Sequence, residues 1–217
     1  MVSSRPAAGA RPQSVSVRRR GPVLERAILE AALEQLSRVG WNGLTMEGVA
    51  AGARTGKAAV YRRWPSKEDL VADALQAGLP AVGEAPDRGS VREDLYELCR
   101  RMRDAMFSLP GAALRAVVHE CDAPTAERFH GLIFSGLIEP SNRLFGEVVR
   151  QGIRRGEVRS DAVGELVFDV IPALMMYRSK MCASELPDEE IAEMIDRVMV
   201  PLLRAWPVGP ARDGTAR

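Results

Sequence analysis

The chain has 217 residues, 46% hydrophobic and 27% charged, as expected for a globular soluble protein of one domain or two small ones. No apolar run approaches the roughly 18 residues that a membrane-spanning helix needs, so we expect no membrane partner. Residues 1–20 hold five arginines and no apolar stretch, which argues against a secretory signal. The three cysteines argue against a disulfide scaffold, and we expect a reduced protein in the cytoplasm.

The net charge of +1 conceals an uneven distribution. The first 67 residues hold 12 of the 30 lysines and arginines but four of the 29 acidic residues, whereas the remainder has 18 basic and 25 acidic residues. A basic end on an acidic body is typical of a protein that binds an anionic polymer. Chance clustering of solvated charge explains the composition equally well.

Residues 1–20 are predicted to be a disordered basic arm, because Ser, Pro, Gly, Ala and Arg dominate and too few apolar residues remain to build a core. From Pro22 onward, apolar residues recur at intervals of three and four, which predicts a helix. Gly40 is expected to end this first helix.

Two short helices follow. Thr45 is expected to cap a helix over about 46–52, and a second short helix is expected over about 57–62. Ser66 with an acid three residues later predicts the cap of a longer helix that ends near Leu79.

The rest of the chain also keeps a helical period. Pro124 is expected to open a helix, Pro140 to break or kink one, Ser160 with Asp161 to cap the next, and Pro187 to open the last. No segment alternates with a period of two for long enough to predict a strand. The sequence therefore predicts an all-α fold of about nine helices.

The two short helices bury little apolar surface by themselves. Such a pair can serve instead to position a side-chain surface, because the first helix can hold the second in a DNA major groove. A small core is expected beneath them, formed by Leu44, Val49, Ala50, Ala53 and Val60. The outer face is expected to carry Lys57, Ala58, Tyr61, Arg62 and Arg63. Lys57 and Tyr61 are four residues apart and share one face, where an ammonium and a phenol reach phosphates or base edges. A solvated basic face is the alternative, and the core is the favoured place for Trp64.

The stretch from Thr45 to Lys67 resembles the N-terminal helix-turn-helix of the TetR family of bacterial transcriptional regulators. The matching features are the threonine, an apolar residue and an alanine four residues on, the recognition-helix Tyr61, the aromatic Trp64 and the final lysine. The resemblance covers about residues 20–80, and beyond it only length and helical layout match.

The resemblance implies a DNA-binding surface. Thr45 and Lys67 occupy positions of phosphate contacts, and three arginines ahead of the first helix are expected to form an arm on the backbone or minor groove. The DNA-binding residues implied in this way are Arg18, Arg19, Arg20, Thr45, Gly56, Lys57, Ala58, Tyr61, Arg62, Arg63 and Lys67. Three positions depart from the family, which usually has Gly in place of Arg54, Ser in place of Gly56 and Phe in place of Trp64.

The resemblance also implies a body that binds a small effector. Methionine and phenylalanine side chains can line an adaptable apolar pocket, although plain core is the simpler interpretation of any single one. The candidates for this pocket are Met102, Met106, Phe107, Arg115, His119, Phe134, Phe168, Met175, Tyr177 and Arg178.

The last two helices, expected over about 161–181 and 188–205, resemble the pair through which the family dimerises. The interface candidates on their apolar stripes are Leu174, Ile195, Val198 and Leu202. A two-fold dimer presents two recognition helices and therefore implies a palindromic operator.

The chain is accordingly divided into a disordered basic arm (1–20), a helix-turn-helix DNA-binding domain (21–81), a helical effector-binding and dimerisation domain (82–207) and a disordered tail (208–217). The predicted function is that of a homodimeric transcriptional regulator, released from a palindromic double-stranded DNA operator by an unknown small, largely apolar effector. That it represses rather than activates is implied by the resemblance alone.

Two other functions stay open. A DNA-binding protein without an effector, such as an architectural protein, is one, and a helical enzyme is the other. Against the enzyme, the sequence has no Gly-rich phosphate loop, no Gly-x-Ser-x-Gly and no His-Glu-x-x-His. No cofactor and no metal are expected, because His119, Cys121 and Asp122 lack the second ligand pair of a zinc site.

Overall fold

A computed structural model describes residues 21–80, 83–160 and 164–204. Within these ranges the chain forms eleven α-helices, two π-helical segments and no strand, which confirms the all-α prediction. The elements are α1 (Pro22–Gly43), α2 (Met46–Gly52), α3 (Lys57–Tyr61), α4 (Lys67–Gly78), α5 (Val91–Phe107), α6 (Leu109–Glu120), α7 (Ala123–Ile133), π1 (Phe134–Ile138), α8 (Glu139–Arg154), α9 (Glu165–Met181), α10 (Asp188–Met194), π2 (Ile195–Met199) and α11 (Val200–Arg204). Because π1 joins α7 to α8 and π2 joins α10 to α11 without a break, the described residues form nine continuous helices. None of these described helices has the length and apolar character needed to cross a membrane.

Helices α2 and α4 begin where their capping residues predicted. Thr45 Oγ1 accepts a hydrogen bond from the backbone N–H of Gly48 at 3.1 Å, and Ser66 Oγ accepts one from the N–H of Asp69 at 3.1 Å. Each bond satisfies a donor that has no partner inside its helix. These caps fix where α2 and α4 start, and hence the length of the segment between them.

One helix end agrees with the prediction and another differs. Gly40 has a non-helical backbone (φ 74°, ψ 178°) where the first helix was expected to end, and one further helical turn follows this kink as far as Gly43. The helix expected after Ser160 begins only at Glu165, with Gly164 in an extended conformation at its N-cap. Asp161 lies outside the described residues.

The π-helical segments explain how two prolines are accommodated. π1 ends two residues before Pro140, and π2 ends two residues before Pro201. Proline lacks an N–H group, and its ring clashes with the carbonyl four residues earlier in a regular α-helix. A locally wider turn relieves that clash. The break expected at Pro140 is therefore a widened turn in a helix that continues.

Two clusters of buried apolar side chains hold the described chain together. The first core joins α1–α4 with Ala113, Leu114 and Val117 of α6 and with Phe129 of α7. The second core joins α5 with α8–α11. Although Ser108 alone separates α5 from α6, the two helices belong to different cores. The helix-turn-helix is thus packed onto α6, a helix from the region predicted to form the body.

Candidate nucleic-acid interface

The turn between α2 and α3 is built around a left-handed residue. Arg54 has a φ of 54°, and its backbone N–H donates to the carbonyl of Ala51 at 3.0 Å. The N–H of Thr55 donates to the carbonyl of Ala50 at 2.9 Å. A residue other than glycine pays roughly 1–2 kcal/mol for this conformation. The turn therefore forms although arginine replaces the family's usual glycine, and the exposed Arg54 side chain adds a positive charge beside it.

The small core predicted beneath α2 and α3 is confirmed. Its five members are no more than 3% exposed: Leu44, Val49, Ala50, Ala53 and Val60. Trp64 is buried too, as predicted, and its Nε1 donates to Asp73 Oδ2 at 2.8 Å. This bond joins the segment that follows α3 to α4.

The outer face of α3 is basic and accessible. Its exposed residues, with the residue that follows the helix, are Lys57, Ala58, Tyr61 and Arg62. Tyr61 is 41% exposed, so its ring and hydroxyl are accessible to a ligand on this face. Arg63 is half-buried, and its Nη1 donates to the carbonyl of Ala59 at 3.0 Å. Gly56 is the N-cap of α3, and the space around it is open.

Lys57 interacts with two other side chains at this face. Its ammonium forms an ion pair with Glu47 of α2 and lies 5.4 Å from the centroid of the Tyr61 ring. The hydrogen bond from Lys57 lowers the pKa of Glu47, and Glu47 raises the pKa of Lys57 in turn. Glu47 was not predicted to be a site residue, yet it is the only acid between residues 35 and 67. This isolated acid in a basic segment is the sequence feature that could have identified Glu47 as a site residue.

Lys67 links the start of α4 to the end of α1. Its Nζ donates to the carbonyl oxygen of Trp41 at 3.2 Å and lies 4.2 Å from the centroid of that indole ring. Trp41 is itself buried and meets Phe129 edge to face at 5.5 Å. The phosphate contact expected of Lys67 stays a prediction, as does the contact expected of Thr45. The arginines of the arm, Arg18, Arg19 and Arg20, lie outside the described residues.

Several effector candidates meet where α5 passes into α6. Arg115 Nη1 donates to the carbonyl of Met106, and its guanidinium carbon lies 5.1 Å from the centroid of the Phe107 ring. Met102 and Met106 are half-buried, and Phe107 is exposed. Partial burial lowers the pKa of Arg115. On the next turn of α6, His119 Nδ1 lies 3.0 Å from Lys180 Nζ of α9.

The other effector candidates are spread over the body. Met175 is buried in the second core, where Phe168 packs edge to face on Phe145 at 5.2 Å. Tyr177 and Arg178 are exposed on α9, and Arg178 forms an ion pair with Glu190. Phe134, in π1, is exposed and stacks on His130. The structure thus groups some candidates and separates others.

The interface candidates differ in exposure. Leu202 is 42% exposed, Leu174 and Val198 are half-buried, and Ile195 is fully buried in the second core of its own subunit. Further apolar side chains exposed on α9 are Leu166, Met176, Tyr177 and Met181. The apolar surface lies on α9 and α11, and Ile195 supports it from inside.

Two family descriptions match this chain. Residues 28–74 match the bacterial regulatory proteins of the tetR family, and residues 85–198 match the tetracyclin repressor-like C-terminal domain. The first match contains the whole helix-turn-helix. The second begins before α5 and extends into π2, so it covers most of the body.

Individual proteins that are similar to this chain are also regulators of transcription by name. An uncharacterised HTH-type transcriptional regulator of Mycobacterium tuberculosis is 30% identical over 183 residues, which cover 82% of this chain and 87% of that protein. The DNA-binding transcriptional repressor TetR of Mycobacteroides abscessus is 30% identical over 190 residues, covering 85% of this chain and 96% of that protein. The crystal structure of FadR of Bacillus subtilis in complex with stearoyl-CoA has a TM-score of 0.61 at 12% identity, and the match covers 83% of this chain and 98% of that one. The chain belongs to the TetR family of bacterial transcriptional regulators, and its N-terminal helices are the DNA-binding helix-turn-helix of that family.

Proposed function

We propose that the protein is a ligand-responsive repressor that binds a palindromic operator as a homodimer and leaves it when a small effector binds the body. The observation that carries this proposal is the outer face of α3. Lys57, Ala58 and Tyr61 are exposed there above a core that is almost completely buried. The small Ala58 lets the helix approach base edges closely, and the side chains on either side supply hydrogen-bond donors.

In this proposal the remaining basic residues hold the DNA backbone. Lys67 uses one of the three N–H donors of its ammonium on Trp41, so two are left for a phosphate. Arg62 has no ion pair within the described part of the chain. The proposed backbone contacts are those of Arg18, Arg19, Arg20, Thr45, Gly56, Arg62, Arg63 and Lys67.

The packing of α6 supports a response to a ligand. One side of α6 lies in the first core. Two of its side chains contact other helices of the body, Arg115 at Phe107 of α5 and His119 at Lys180 of α9. At the end of α6, Glu120 Oε2 accepts a hydrogen bond from the backbone N–H of Asn42 at 3.2 Å. An effector that favours one placement of α6 would thereby change the placement of α1 and α3, to the extent that it binds the two states with different affinity.

The comparisons support repression and a largely apolar effector. The relative in Mycobacteroides abscessus is named a repressor, and the FadR structure contains stearoyl-CoA, which has a long apolar chain. The exposed apolar side chains of α9 and Leu202 of α11 support a dimer interface there. In this proposal residues 21–81 bind DNA, and residues 82–207 bind the effector and dimerise, in the cytoplasm where the operator is.

Footprinting on the DNA beside the protein's own gene tests this function. We expect two symmetric protected half-sites, one helical turn or a multiple of it apart. A reporter driven from the same DNA should rise in expression when the regulator gene is deleted. A single protected half-site would contradict the dimer, and a fall in expression would show an activator instead.

A further inference from the structure

We propose that Arg115 and His119 of α6, together with Lys180 of α9, form a site for one oxyanion, so that the effector is an amphipathic organic anion. The inference rests on the proposed function only in calling this ligand the effector. The site itself follows from the positions of three basic side chains that two helices bring together.

The geometry brings two of these groups into contact and places the third one helical turn away. His119 Nδ1 and Lys180 Nζ lie 3.0 Å apart, which joins α6 directly to α9. Arg115 precedes His119 by four residues and therefore lies one turn away on the same side of α6. One nitrogen of its guanidinium bonds to the carbonyl of Met106, and the group has five N–H donors in all, so most of them are left for a ligand.

No carboxylate of the described chain neutralises this cluster. Neither Arg115 nor Lys180 takes part in an ion pair with a described residue. Among the described residues, Glu120 is the one acid that acts on His119, and its carboxylate is bonded to the N–H of Asn42 at the end of α1. Basic groups that lie close together without an acidic partner repel one another. This repulsion falls when an anion binds between them or when one of them loses a proton.

The electrostatic surroundings of His119 agree with an anion site. Burial and the charges of Lys180 and Arg115 all lower the pKa of His119, while Glu120 acts weakly in the opposite sense. The neutral imidazole accepts from Lys180 at Nδ1 and carries its proton on Nε2, which leaves a further donor. An anion between these groups would favour the charged imidazole and raise the pKa of His119 again.

Apolar surface adjoins the cluster, which is why the ligand is amphipathic rather than a bare inorganic ion. Phe107 lies beneath the Arg115 guanidinium and is 38% exposed. Leu109, at the start of α6, follows Phe107 by two residues and is exposed as well. A ligand whose oxyanion binds the three donors can lay an apolar chain on these side chains.

The two histidines of the chain make the test direct, because each gives separate NMR signals and His130 serves as an internal control. The intact protein, without DNA, is titrated with decanoate, with decyl phosphate and with the neutral amide decanamide. We expect decanoate or decyl phosphate to raise the pKa of His119 and to leave the His130 signals unaffected. Decanamide should leave both unaffected, and the tighter of the two acids identifies the head group.

Matched variants separate the site from general charge. Lys180→Gln and Arg115→Gln should each weaken decanoate binding about two- to fivefold without weakening decanamide binding. Arg143→Gln removes an exposed positive charge of α8 that already has Glu139 as a partner, and it should leave decanoate binding unchanged. Lys180 is exposed, so its variant keeps the fold even if loss of the half-buried Arg115 does not allow folding.

The anion site is wrong if neither acid moves the pKa of His119, or if decanoate and decanamide bind equally in the parent and in Lys180→Gln. Because binding is measured without DNA, the two proposals fail separately. Acids that bind here and leave the operator complex intact contradict the ligand response alone. An operator complex released by a neutral molecule, with no acid bound at His119, overturns the anion site alone.

Discussion

Charged side chains are partnered differently in the helix-turn-helix and in the body. Around α2 and α3, Arg54 and Arg62 have no ion pair within the described residues, and Lys57 has Glu47 alone. In the body, Arg155 bonds to three carboxylates, those of Asp94, Glu157 and Asp87, and Arg92 bonds twice to Asp196 of π2. Basic side chains therefore have few acidic partners around α2 and α3, whereas in the body they form ion pairs with carboxylates.

The supply of acids explains the difference. The first 67 residues contain four acids, whereas the remainder contains 25, more than its basic residues. Where carboxylates are plentiful, arginines connect helices that are distant in sequence, as Arg92 connects α5 to π2. Where they are scarce, cations are left for the phosphates and bases of DNA. An acid should therefore matter to stability in the body and to binding in the helix-turn-helix.

We expect the largest effect at Asp94, which is fully buried between the backbone N–H of Arg88 and the guanidinium of Arg155. Asp94→Ala leaves both of these groups without that partner, and the free energy of unfolding should fall by about 3–4 kcal/mol. Asp87→Ala removes an exposed partner of the same Arg155 and should cost less than about 1 kcal/mol. Urea unfolding of the two variants measures the difference, and equal losses would contradict a structural role for the buried acid.

A smaller effect, on dimer affinity, is expected at the exposed apolar side chains of the proposed interface. Leu202→Glu places an unpaired charge in the proposed interface and should weaken the dimer by about 2 kcal/mol, or about thirtyfold in Kd. Sedimentation velocity over a dilution series measures this. Ile138→Glu changes an equally exposed apolar residue of π1 and should leave the dimer intact. An unchanged Kd for Leu202→Glu would show that the interface lies elsewhere.

On the DNA side, Lys57→Ala should reduce operator affinity about tenfold or more without lowering the thermal midpoint, because Lys57 is exposed. If its ammonium reads a guanine edge, the loss concentrates at one base position of each half-site. Arg143→Ala removes one positive charge from the body surface and serves as the control. Titrations on operator variants measure both, and unchanged selectivity would remove Lys57 from the set of base-reading residues.

The parts that the sequence predicted well depend on local signals. Thr45 and Ser66 cap their helices through bonds that reach three residues, and the buried side of α2 and α3 follows from helical spacing. Trp64 was expected in the core, and it is buried there. Each of these inferences needs a window of about a dozen residues and no knowledge of the rest of the fold.

The parts that the sequence did not predict depend on contacts between distant segments. The bond of Lys67 to Trp41 spans 26 residues, and the contact of His119 with Lys180 spans 61. Helical periodicity marks a residue as apolar but does not say which surface it covers, so Ile195 was assigned to a subunit interface while it lies inside its own core. For the same reason, nothing in its sequence indicated that α6 packs with the first core.

The smallest effect, and the sharpest contrast with Asp94, is expected at Glu47. Its carboxylate is exposed on the DNA-binding face and holds Lys57, so DNA has to compete with it for that ammonium. Glu47→Gln should leave the thermal midpoint unchanged and raise operator affinity about two- to threefold. If each freed lysine gains a phosphate, the dependence of log affinity on log salt steepens by about 1.8 for a dimer.

The control for Glu47 is Glu139→Gln, which removes an acid paired with Arg143 on the body surface and should leave DNA binding unchanged. The double variant with Lys57→Ala identifies the route of the effect, because Glu47→Gln should add nothing once the lysine is gone. If operator affinity falls in Glu47→Gln, the acid instead holds Lys57 and Tyr61 in the orientation that DNA requires. In that case the only acid between residues 35 and 67 belongs to the interface as a positioning residue, and scarcity of acids alone does not explain how this face binds DNA.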